Sequence, residues 1–338
     1  MWSSVQAGRE SFLLWILLFA FHFCSGCKST PQNLDVTSTP VATPIVIGKT
    51  PEPTNSPTAV FDSRAERQLL LDSVAAVIKQ ARQDFPGQTG IYFIDMESDL
   101  KLDYDGERQF ESASLMKLVV VAELYRLIQV GQLGLDHPLE LKKEHIVGGS
   151  GDLKELEPGM TFPIRVLLEK MITQSDNTAT QMLTEFLTKD ALNKSTKNLG
   201  LRGTTINRDI YDFGAIERGQ DNYITARDAA VLMEQLAREE LPGSEEMHLI
   251  LERQQRNDMI GAGIPEGLKV AHKTGELNNV LHDVGIVYAP KGSYVLAMLS
   301  DQVSDKPRAV QVFSKLSQDI FKIYESDISE PTPSASPE

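Results

Sequence analysis

The sequence predicts an α+β fold in which two strand-rich segments enclose a helical middle. The strand-like runs are short, apolar and bounded by turn-forming residues, and they cover 90–96, 101–110, 270–274, 283–288 and 294–300. From 114 to 264 the apolar residues recur at helical spacing instead. Because no linker-like stretch separates these segments, we expect one structural unit, an antiparallel sheet with terminal helices and an all-helical insert.

Each helix of this prediction depends on apolar periodicity and on residues that begin or end helices. Periodicity starts near Ser63, and the stretch from Ser114 to about Gln129 is apolar on nearly every face, which indicates a central, buried helix. Pro163 suits the first turn of a helix from Thr161 to Thr173. The remaining predicted helices cover 177–187, 190–198, 225–238, a stretch that opens at 244, and 306–324.

Residues 1–27 have the pattern of an export signal. Arg9 precedes an apolar core at 12–23 that is too short to span a bilayer. The segment resembles a bacterial lipoprotein signal, which implies that Cys27 is lipidated and becomes the mature N-terminus. An ordinary secretory signal cut near Gly26 is the alternative. We expect an exported protein of the cell envelope, anchored as a lipoprotein to the outer face of the membrane. Under either interpretation both cysteines of the chain lie within this segment.

Two polar, proline-rich segments flank the predicted folded domain. The segment 28–62 is rich in Pro, Thr, Ser and Val, and it cannot bury enough apolar surface to fold, so we expect an extended tether. The tail 326–338 is rich in Pro, Ser and Glu and is expected to be disordered. The folded domain is therefore predicted to span 63–325, with an α/β part made of 63–113 and 265–325 and a helical part made of 114–264.

The segment Ser114-Leu115-Met116-Lys117 opens the most apolar helix. Ser114 and Lys117 are three residues apart, so on a helix they lie on the same face, one turn apart. Burial of the lysine amine would lower its pKa and allow the neutral amine to take the serine proton. Backbone N–H groups at the helix N-terminus can also face a developing oxyanion. A capping serine beside a solvated lysine is the plainer alternative for this motif taken alone.

Two tripeptides later in the chain favour the catalytic interpretation. Ser175-Asp176-Asn177 lies between two predicted helices, where a loop can aim a hydroxyl and an amide into a cleft. Lys273-Thr274-Gly275 lies at the end of a predicted strand, where a lysine and a hydroxyl can bind a carboxylate. Each tripeptide is rare by chance, and S-x-x-K, S-D-N and K-T-G in this order are typical of an active-serine site.

On these motifs the chain resembles the class A β-lactamase-related serine hydrolases over roughly residues 63–323. That resemblance implies a β-lactamase-like fold with a five-stranded antiparallel sheet. It also implies that Ser114 is the acylated nucleophile and that Lys117 is the general base for acylation. Ser175 would relay a proton to the leaving nitrogen, and Asn177 would orient the substrate and Lys117.

The same resemblance implies a binding site for the substrate. The segment Lys273-Thr274-Gly275 would hold the substrate carboxylate, and the backbone N–H groups of Ser114 and Glu276 would form the oxyanion hole. Many of these enzymes carry an arginine for that carboxylate on the next strand, where this chain has His282. His282 is either a weaker anion partner or a packed, hydrogen-bonded histidine, and we favour the second interpretation.

The sequence departs from this family where deacylation is carried out. Class A β-lactamases use a loop glutamate to activate the deacylating water, and its expected position falls on Ile210-Tyr211. Asp209, Asp212 and Glu217 lie near enough to substitute, and Asp212 is the first choice as a deacylation base. A shorter aspartate more often caps or pins a loop. We therefore expect deacylation to be slow.

These observations predict an exported, lipid-tethered active-serine hydrolase that opens a β-lactam or a related acyl-D-amino amide. One rival is a penicillin-binding or D,D-peptidase-like enzyme that acts on peptidoglycan stem peptides, and another is a catalytically quiet binding module. The sequence shows no metal cluster, phosphate loop or nucleotide fingerprint, so no cofactor is predicted. The net charge of -14 argues against nucleic acid as a partner. We expect a monomer that contacts the membrane through its lipid anchor only.

Overall fold

The computed structural model describes residues 63–209 and 212–325, and a five-stranded antiparallel sheet lies at the centre of the fold. The strands are β1 (Gln88–Asp95), β2 (Lys101–Tyr104), β3 (Gln109–Glu111), β4 (Pro138–Glu140), β5 (Thr161–Pro163), β6 (Tyr223–Thr225), β7 (Val270–Glu276), β8 (Leu281–Ala289) and β9 (Gly292–Asp301). The central sheet has the order β2-β1-β9-β8-β7, and every neighbouring pair is antiparallel. The five-stranded antiparallel sheet of the prediction is therefore confirmed.

Helices cover both faces of this sheet. They are α1 (Ser63–Asp84), α2 (Met116–Gln129), α3 (Ile164–Thr173), α4 (Asn177–Thr184), α5 (Lys189–Asn198), α6 (Phe213–Glu217), α7 (Ala226–Ala237), α8 (Ser244–Leu251) and α9 (Lys306–Glu325). The terminal helices α1 and α9 pack on one face, and the helical part of the fold packs on the other.

Side-chain alternation along β1 divides the core into these two layers. Ile91 and Phe93 are fully buried among residues of α1 and α9, whereas Tyr92 and Ile94 point to the opposite face and join the core of the helical part. Successive side chains of a strand point to opposite faces, so a strand that is apolar at every position requires cover on both sides. The continuous apolar run of β1 therefore reflects its place inside the sheet.

Helix α2 lies at the centre of the helical part. All of its residues from Met116 to Tyr125 are buried, which confirms the prediction from its uninterrupted apolar sequence. Gly131 follows the helix with a φ of 72°, a left-handed conformation that glycine adopts at little cost. Because the first ten residues of α2 are surrounded by protein, the lysine in its first turn is enclosed as well.

The predicted strand from Lys101 to Phe110 is in fact two strands in different sheets. β2 ends at Tyr104, and β3 begins at Gln109 and pairs with β6. Asp105 between them has a φ of 53°, and the N–H of Gly106 donates to Asp103 Oδ1 at 2.7 Å, which closes a turn. This turn takes the chain off the central sheet and toward the segment that carries Ser114.

The helical part also contains short strands, so it is not all-helical as predicted. β4 pairs with β5, and β6 pairs with β3. The predicted helix from Thr161 begins only at Ile164, because Pro163 has an extended conformation with a ψ of 150° and precedes the helix. The Ile164 N–H donates to His137 O at 3.1 Å, which ties this extended entry to the neighbouring chain.

The predicted signal, tether and C-terminal tail lie at 1–27, 28–62 and 326–338, outside the described residues. Ile210 and Tyr211, where the family's deacylating glutamate is expected, lie outside them as well. Within 63–209 and 212–325, no helix is both long enough and apolar enough to cross a membrane.

Candidate active site

The candidate nucleophile lies on a strained turn between β3 and α2. Ala113, Ser114 and Leu115 form a single 3₁₀ turn, and Ala113 has a φ of 45°. A residue with a side chain adopts this left-handed conformation only when its surroundings impose it. The Ser112 N–H donates to Asn222 O at 2.7 Å, and this bond anchors the start of the turn. Ser114 is thereby held at the wall of a cleft.

Lys117 is enclosed one turn into the helix, with only 1% of its surface exposed. Its Nζ donates to Ser175 O at 2.6 Å, to Asn177 Oδ1 at 2.9 Å and to Ser175 Oγ at 3.0 Å. All three partners belong to the S-D-N segment. The structure therefore brings the S-x-x-K and S-D-N motifs into direct contact.

The environment of Lys117 disfavours its charged form. Burial, and then the nearby ammonium of Lys273, hold the pKa of Lys117 well below its ordinary value, while Asp176 acts in the opposite direction. A buried lysine without an adjacent carboxylate contact gives up its proton readily. Lys117 is thus suited to accept a proton from a serine hydroxyl at neutral pH.

Ser175 joins the lysines to the nucleophile. Its Oγ donates to Ser114 Oγ at 2.8 Å and accepts from Lys117 and, at 3.2 Å, from Lys273. Among the described hydrogen bonds, none runs directly from Lys117 Nζ to Ser114 Oγ. The link between the expected base and the nucleophile therefore runs through Ser175. This residue also has a left-handed φ of 55°, and the residue before Ser114, Ala113, has one of 45°.

Asp176 and the loop that contains Gly151 hold the S-D-N segment in place. Asp176 is fully buried, and its carboxylate accepts from Ala179 N at 2.7 Å, which caps α4, and from Leu153 N at 3.0 Å. Gly151 has a φ of 96°, and any side chain there would collide with Asp176. Asn177 is fixed beside them, because its N–H donates to Ser150 O at 3.0 Å.

Lys273 lies in the middle of β7, not at the strand end that the sequence predicts, and it is fully buried. Its Nζ donates to Thr274 O at 2.9 Å and to the Ser175 hydroxyl. Burial lowers the pKa of Lys273 to about 7, Arg256 contributes to that fall, and Asp283 opposes it. The carboxylate of Asp283 is itself buried and bonded to His272 Nδ1 at 2.9 Å. Lys273 therefore changes charge close to neutral pH.

The end of β7 packs directly against the turn that carries the nucleophile. A Cβ on Gly275 would lie 3.3 Å from the Cβ of Ala113, which is tighter than ordinary packing. Gly275 therefore permits a close approach of the two backbones. This approach sets the segment that ends in Glu276 beside Ser114, as an oxyanion hole made by their N–H groups requires.

A cleft of about 560 Å³ opens beside Ser114. Its lining residues are Ser114, Ser150, Thr173, Gln174, Ser175, Gln254, Gln255, Arg256, Thr274, Glu276, Leu277, Asn278 and Lys306. Four of the predicted site residues, Ser114, Ser175, Thr274 and Glu276, therefore share one cavity. Arg256 and Lys306 were not predicted as site residues, because no motif surrounds them. They reach the cleft from the segment after α8 and from the start of α9.

His282 is a packed histidine and does not face the cleft. It is fully buried, its Nδ1 accepts from Ser300 N at 3.1 Å, and its Nε2 donates to Glu111 O at 2.8 Å. Burial lowers the pKa of His282 to about 4, so the ring is neutral at physiological pH. A neutral, enclosed imidazole with both nitrogens occupied cannot hold a substrate carboxylate. Its assignment as a substrate-binding residue is therefore wrong.

Asp212 is engaged as a helix cap. Its Oδ1 accepts from Ala215 N at 2.8 Å at the start of α6, which is the role that the sequence analysis weighed against a catalytic one. Among the described residues that line the cleft, Asp212 does not appear. Within the described parts of the chain, no group of three or more His, Cys, Asp or Glu side chains is arranged to hold a metal ion.

A model of the beta-lactamase enzyme family matches residues 72–324. The chain belongs to this family. Among curated proteins, this member of the beta-lactamase family is 26% identical to a beta-lactamase of Bacillus licheniformis over 65% of its own length and 73% of that protein. Among solved structures it is similar to a beta-lactamase from Sphaerobacter thermophilus, with 26% identity and a TM-score of 0.66 over 74% of this chain and 96% of that one.

The beta-lactamase-family chain is also similar to a mutant of PBP-A that was solved as an acyl-enzyme complex with penicillin-G. The identity is 27% and the TM-score is 0.67, over 75% of this chain and 96% of that one. These matches cover the central sheet and the helical part together. The predicted β-lactamase-like fold is therefore confirmed.

Proposed function

We propose that this chain opens the amide bond of β-lactams through an acyl-enzyme on Ser114. The observation that carries the proposal is the hydrogen-bonded path from Ser114 Oγ to Ser175 Oγ at 2.8 Å and on to Lys117 Nζ at 3.0 Å. A serine hydroxyl is a weak nucleophile until a base takes its proton. The enclosed Lys117, whose pKa is lowered, is placed to receive that proton through Ser175.

Acylation then follows from the arrangement of these residues. When Lys117 is neutral, both hydroxyls reverse their roles, so that Ser114 donates to Ser175 and Ser175 donates to the lone pair of Lys117 Nζ. Ser114 Oγ attacks the lactam carbonyl carbon while its proton passes to Ser175, whose own proton passes to the neutral amine of Lys117. The C–N bond of the lactam breaks, and the nitrogen takes a proton back through Ser175. The backbone N–H groups of Ser114 and Glu276 would stabilise the oxygen on which negative charge develops.

The substrate carboxylate would be held at the end of β7. Lys273 supplies the positive charge and Thr274 supplies a hydroxyl at the wall of the cleft. Asn177, which accepts from Lys117, would orient both that lysine and the substrate amide. This set of residues also explains why the K-T-G motif must lie beside the S-D-N loop.

We expect the acyl-enzyme to break down slowly. The sequence has Ile210-Tyr211 where class A β-lactamases are expected to carry the glutamate that activates water, and the nearby Asp212 caps a helix. Loss of a general base costs about 10²–10⁴ in rate. The acyl-enzyme should therefore accumulate during turnover.

A penicillin-binding or D,D-peptidase-like enzyme is the second candidate, and the absence of a glutamate at Ile210-Tyr211 favours it. Such an enzyme needs the same acylation machinery. Its own reaction does not require rapid hydrolysis of the ester that joins an opened β-lactam to Ser114. A catalytically quiet binding module is less compatible with the site, because it has no need of an enclosed Lys117 with a lowered pKa.

The proposal includes an envelope location. The signal-like segment that ends at Cys27 supports export and a lipid anchor, and the proline-rich stretch 28–62 supports a tether that lets the domain reach away from the membrane.

Stopped-flow hydrolysis of a chromogenic cephalosporin tests the proposed function. We expect a burst of about one equivalent per enzyme, followed by slow steady turnover. Release of D-alanine from a stem peptide that ends in D-Ala-D-Ala, at a rate above that steady turnover, would favour the second candidate. Absence of both reactions, together with no covalent labelling by a fluorescent penicillin, would leave the binding module.

A further inference from the structure

A cluster of four charged side chains lies at the edge of the catalytic cleft. The carboxylate of Glu276 lies between two cations, Arg256 Nη1 on one side and Lys306 Nζ, at 2.6 Å, on the other. Asp258 accepts from Arg256 on its far side, with Nε at 3.0 Å from Oδ1 and Nη2 at 3.2 Å from Oδ2. Arg256, Glu276 and Lys306 all line the cleft that contains Ser114.

Glu276 is charged at neutral pH and remains accessible. Burial alone would raise its pKa, but the hydrogen bonds from Lys306 and Arg256 hold that pKa below its ordinary value. The side chains of Glu276, Arg256 and Lys306 are 36%, 32% and 33% exposed. Ion pairs that are exposed to this degree contribute little free energy, so either partner can be replaced by another ion of the same charge. A second carboxylate that enters the cleft can therefore compete for the same two cations.

We propose that Arg256 and Lys306 extend the carboxylate site of Lys273 and Thr274 along the same cleft. In the free protein the side chain of Glu276 occupies these two cations, and a substrate carboxylate displaces it. This inference rests on the proposed function, since it names a subsite of the same cleft. Three elements that are distant in the sequence contribute to it: the segment after α8, the end of β7 and the start of α9.

The geometry gives Glu276 two separate roles. Its backbone N–H belongs to the proposed oxyanion hole, whereas its side chain acts as an internal competitor for the substrate carboxylate. Removal of the side-chain charge should strengthen the binding of ligands that carry a carboxylate relative to ligands that do not. A Glu276 that merely braces the cleft edge would instead weaken both kinds of ligand together when it is changed.

The experiment compares two ligands on a protein that cannot be acylated. In full-length Ser114→Ala, the Kd of benzylpenicillin and of its methyl ester is measured by isothermal titration calorimetry, with and without Glu276→Gln. We expect Glu276→Gln to tighten benzylpenicillin about three- to tenfold relative to the ester, the range expected from two exposed ion pairs. Lys306→Met should shift the same ratio in the opposite direction.

Glu185→Gln is the matched control. The Glu185 carboxylate also bridges two basic side chains, Lys142 and His145, and is 39% exposed, but it is not among the residues that line the cleft. It should leave the ratio of the two affinities unchanged. A ratio that is unchanged in Glu276→Gln, or shifted toward the ester, would overturn the subsite.

A second measurement separates this inference from the proposed function. Sodium acetate is titrated into the full-length protein and into Glu276→Gln while the NMR signal of the Arg256 Nε–H is followed. We expect a saturable shift that is larger in the variant. If β-lactam acylation fails but this shift appears, the proposed function falls and the anion subsite stands. If acylation occurs but acetate produces no shift in the variant, the subsite is refuted alone.

Discussion

Replacement of Ser175 by alanine removes the atom that connects the base to the nucleophile. The Ser175 Oγ contacts Ser114 Oγ at 2.8 Å, Lys117 Nζ at 3.0 Å and Lys273 Nζ at 3.2 Å. In Ser175→Ala, Lys117 keeps its other two acceptors, Ser175 O and Asn177 Oδ1, because one is a backbone atom and the other belongs to a different residue. The lysine should stay in place while its path to Ser114 is broken.

The structure sets the expected size of this effect. A positioned proton-transfer group contributes about 10²–10⁴ to a rate, so acylation should slow by that factor, which is roughly 3–5 kcal/mol of barrier. Stability should change far less, since a net hydrogen bond is worth only about 0.5–1.5 kcal/mol. For a domain of this size the thermal midpoint should fall by a few degrees, about 2–4 °C per kcal/mol.

The assay is the second-order rate constant for acylation by a fluorescent penicillin, measured in Ser175→Ala, Lys117→Met and the double variant. When two residues act on one proton path, the effects of replacing them on the rate constant do not add. The double variant should therefore acylate about as slowly as the slower single variant. Ser195→Ala, which truncates a buried serine in α5, serves as the control and should acylate at the wild-type rate. A loss below about tenfold in Ser175→Ala would refute the relay and favour direct transfer between Ser114 and Lys117.

Three further predictions concern deacylation, pH and anchoring. Asp212→Asn retains the cap of α6, so the slow phase of cephalosporin turnover should not change; a much slower phase would make Asp212 the base. Lys273, with a pKa of about 7, is an ammonium below that pH and neutral above it, so acylation by a carboxylate-bearing β-lactam should fall about tenfold from pH 6 to pH 8.5, and Lys273→Arg should remove this dependence. Cys27→Ser should move the full-length protein from the detergent phase to the aqueous phase, and unchanged partitioning would exclude the lipid tether.

Local patterns in the sequence predicted the five strands of the central sheet and most of the helices, but they joined β2 to β3 and did not indicate β4, β5, β6 or α6. The apolar periodicity of α2 marked it as buried, and burial is what lowers the pKa of Lys117. The spacing of Ser114 and Lys117 within one turn is likewise a local property. The S-D-N motif could be assigned to the connection between two helices, whereas the K-T-G motif, predicted at a strand end, lies inside β7, which continues to Glu276.

The contacts between distant segments could not be predicted in the same way. Nothing near Arg256 or Lys306 in the sequence indicates that both reach Glu276, since their meeting depends on how three elements pack. The left-handed backbone of Ala113 and Ser175 is imposed by surrounding structure and contradicts the preference of either residue type. For His282 the sequence favoured a packed histidine over an anion partner but could not name its partners, because Glu111 O and Ser300 N come from two distant strands.

The central claim is that Ser114 is acylated by a β-lactam, and intact-protein and peptide mass spectrometry tests it most directly. After incubation with benzylpenicillin, the wild-type protein should gain the mass of one drug molecule, located on the peptide that contains Ser114. Ser114→Ala should remain unmodified under the same conditions. An adduct that persists in Ser114→Ala, or that maps to another residue of the wild-type protein, would contradict the account.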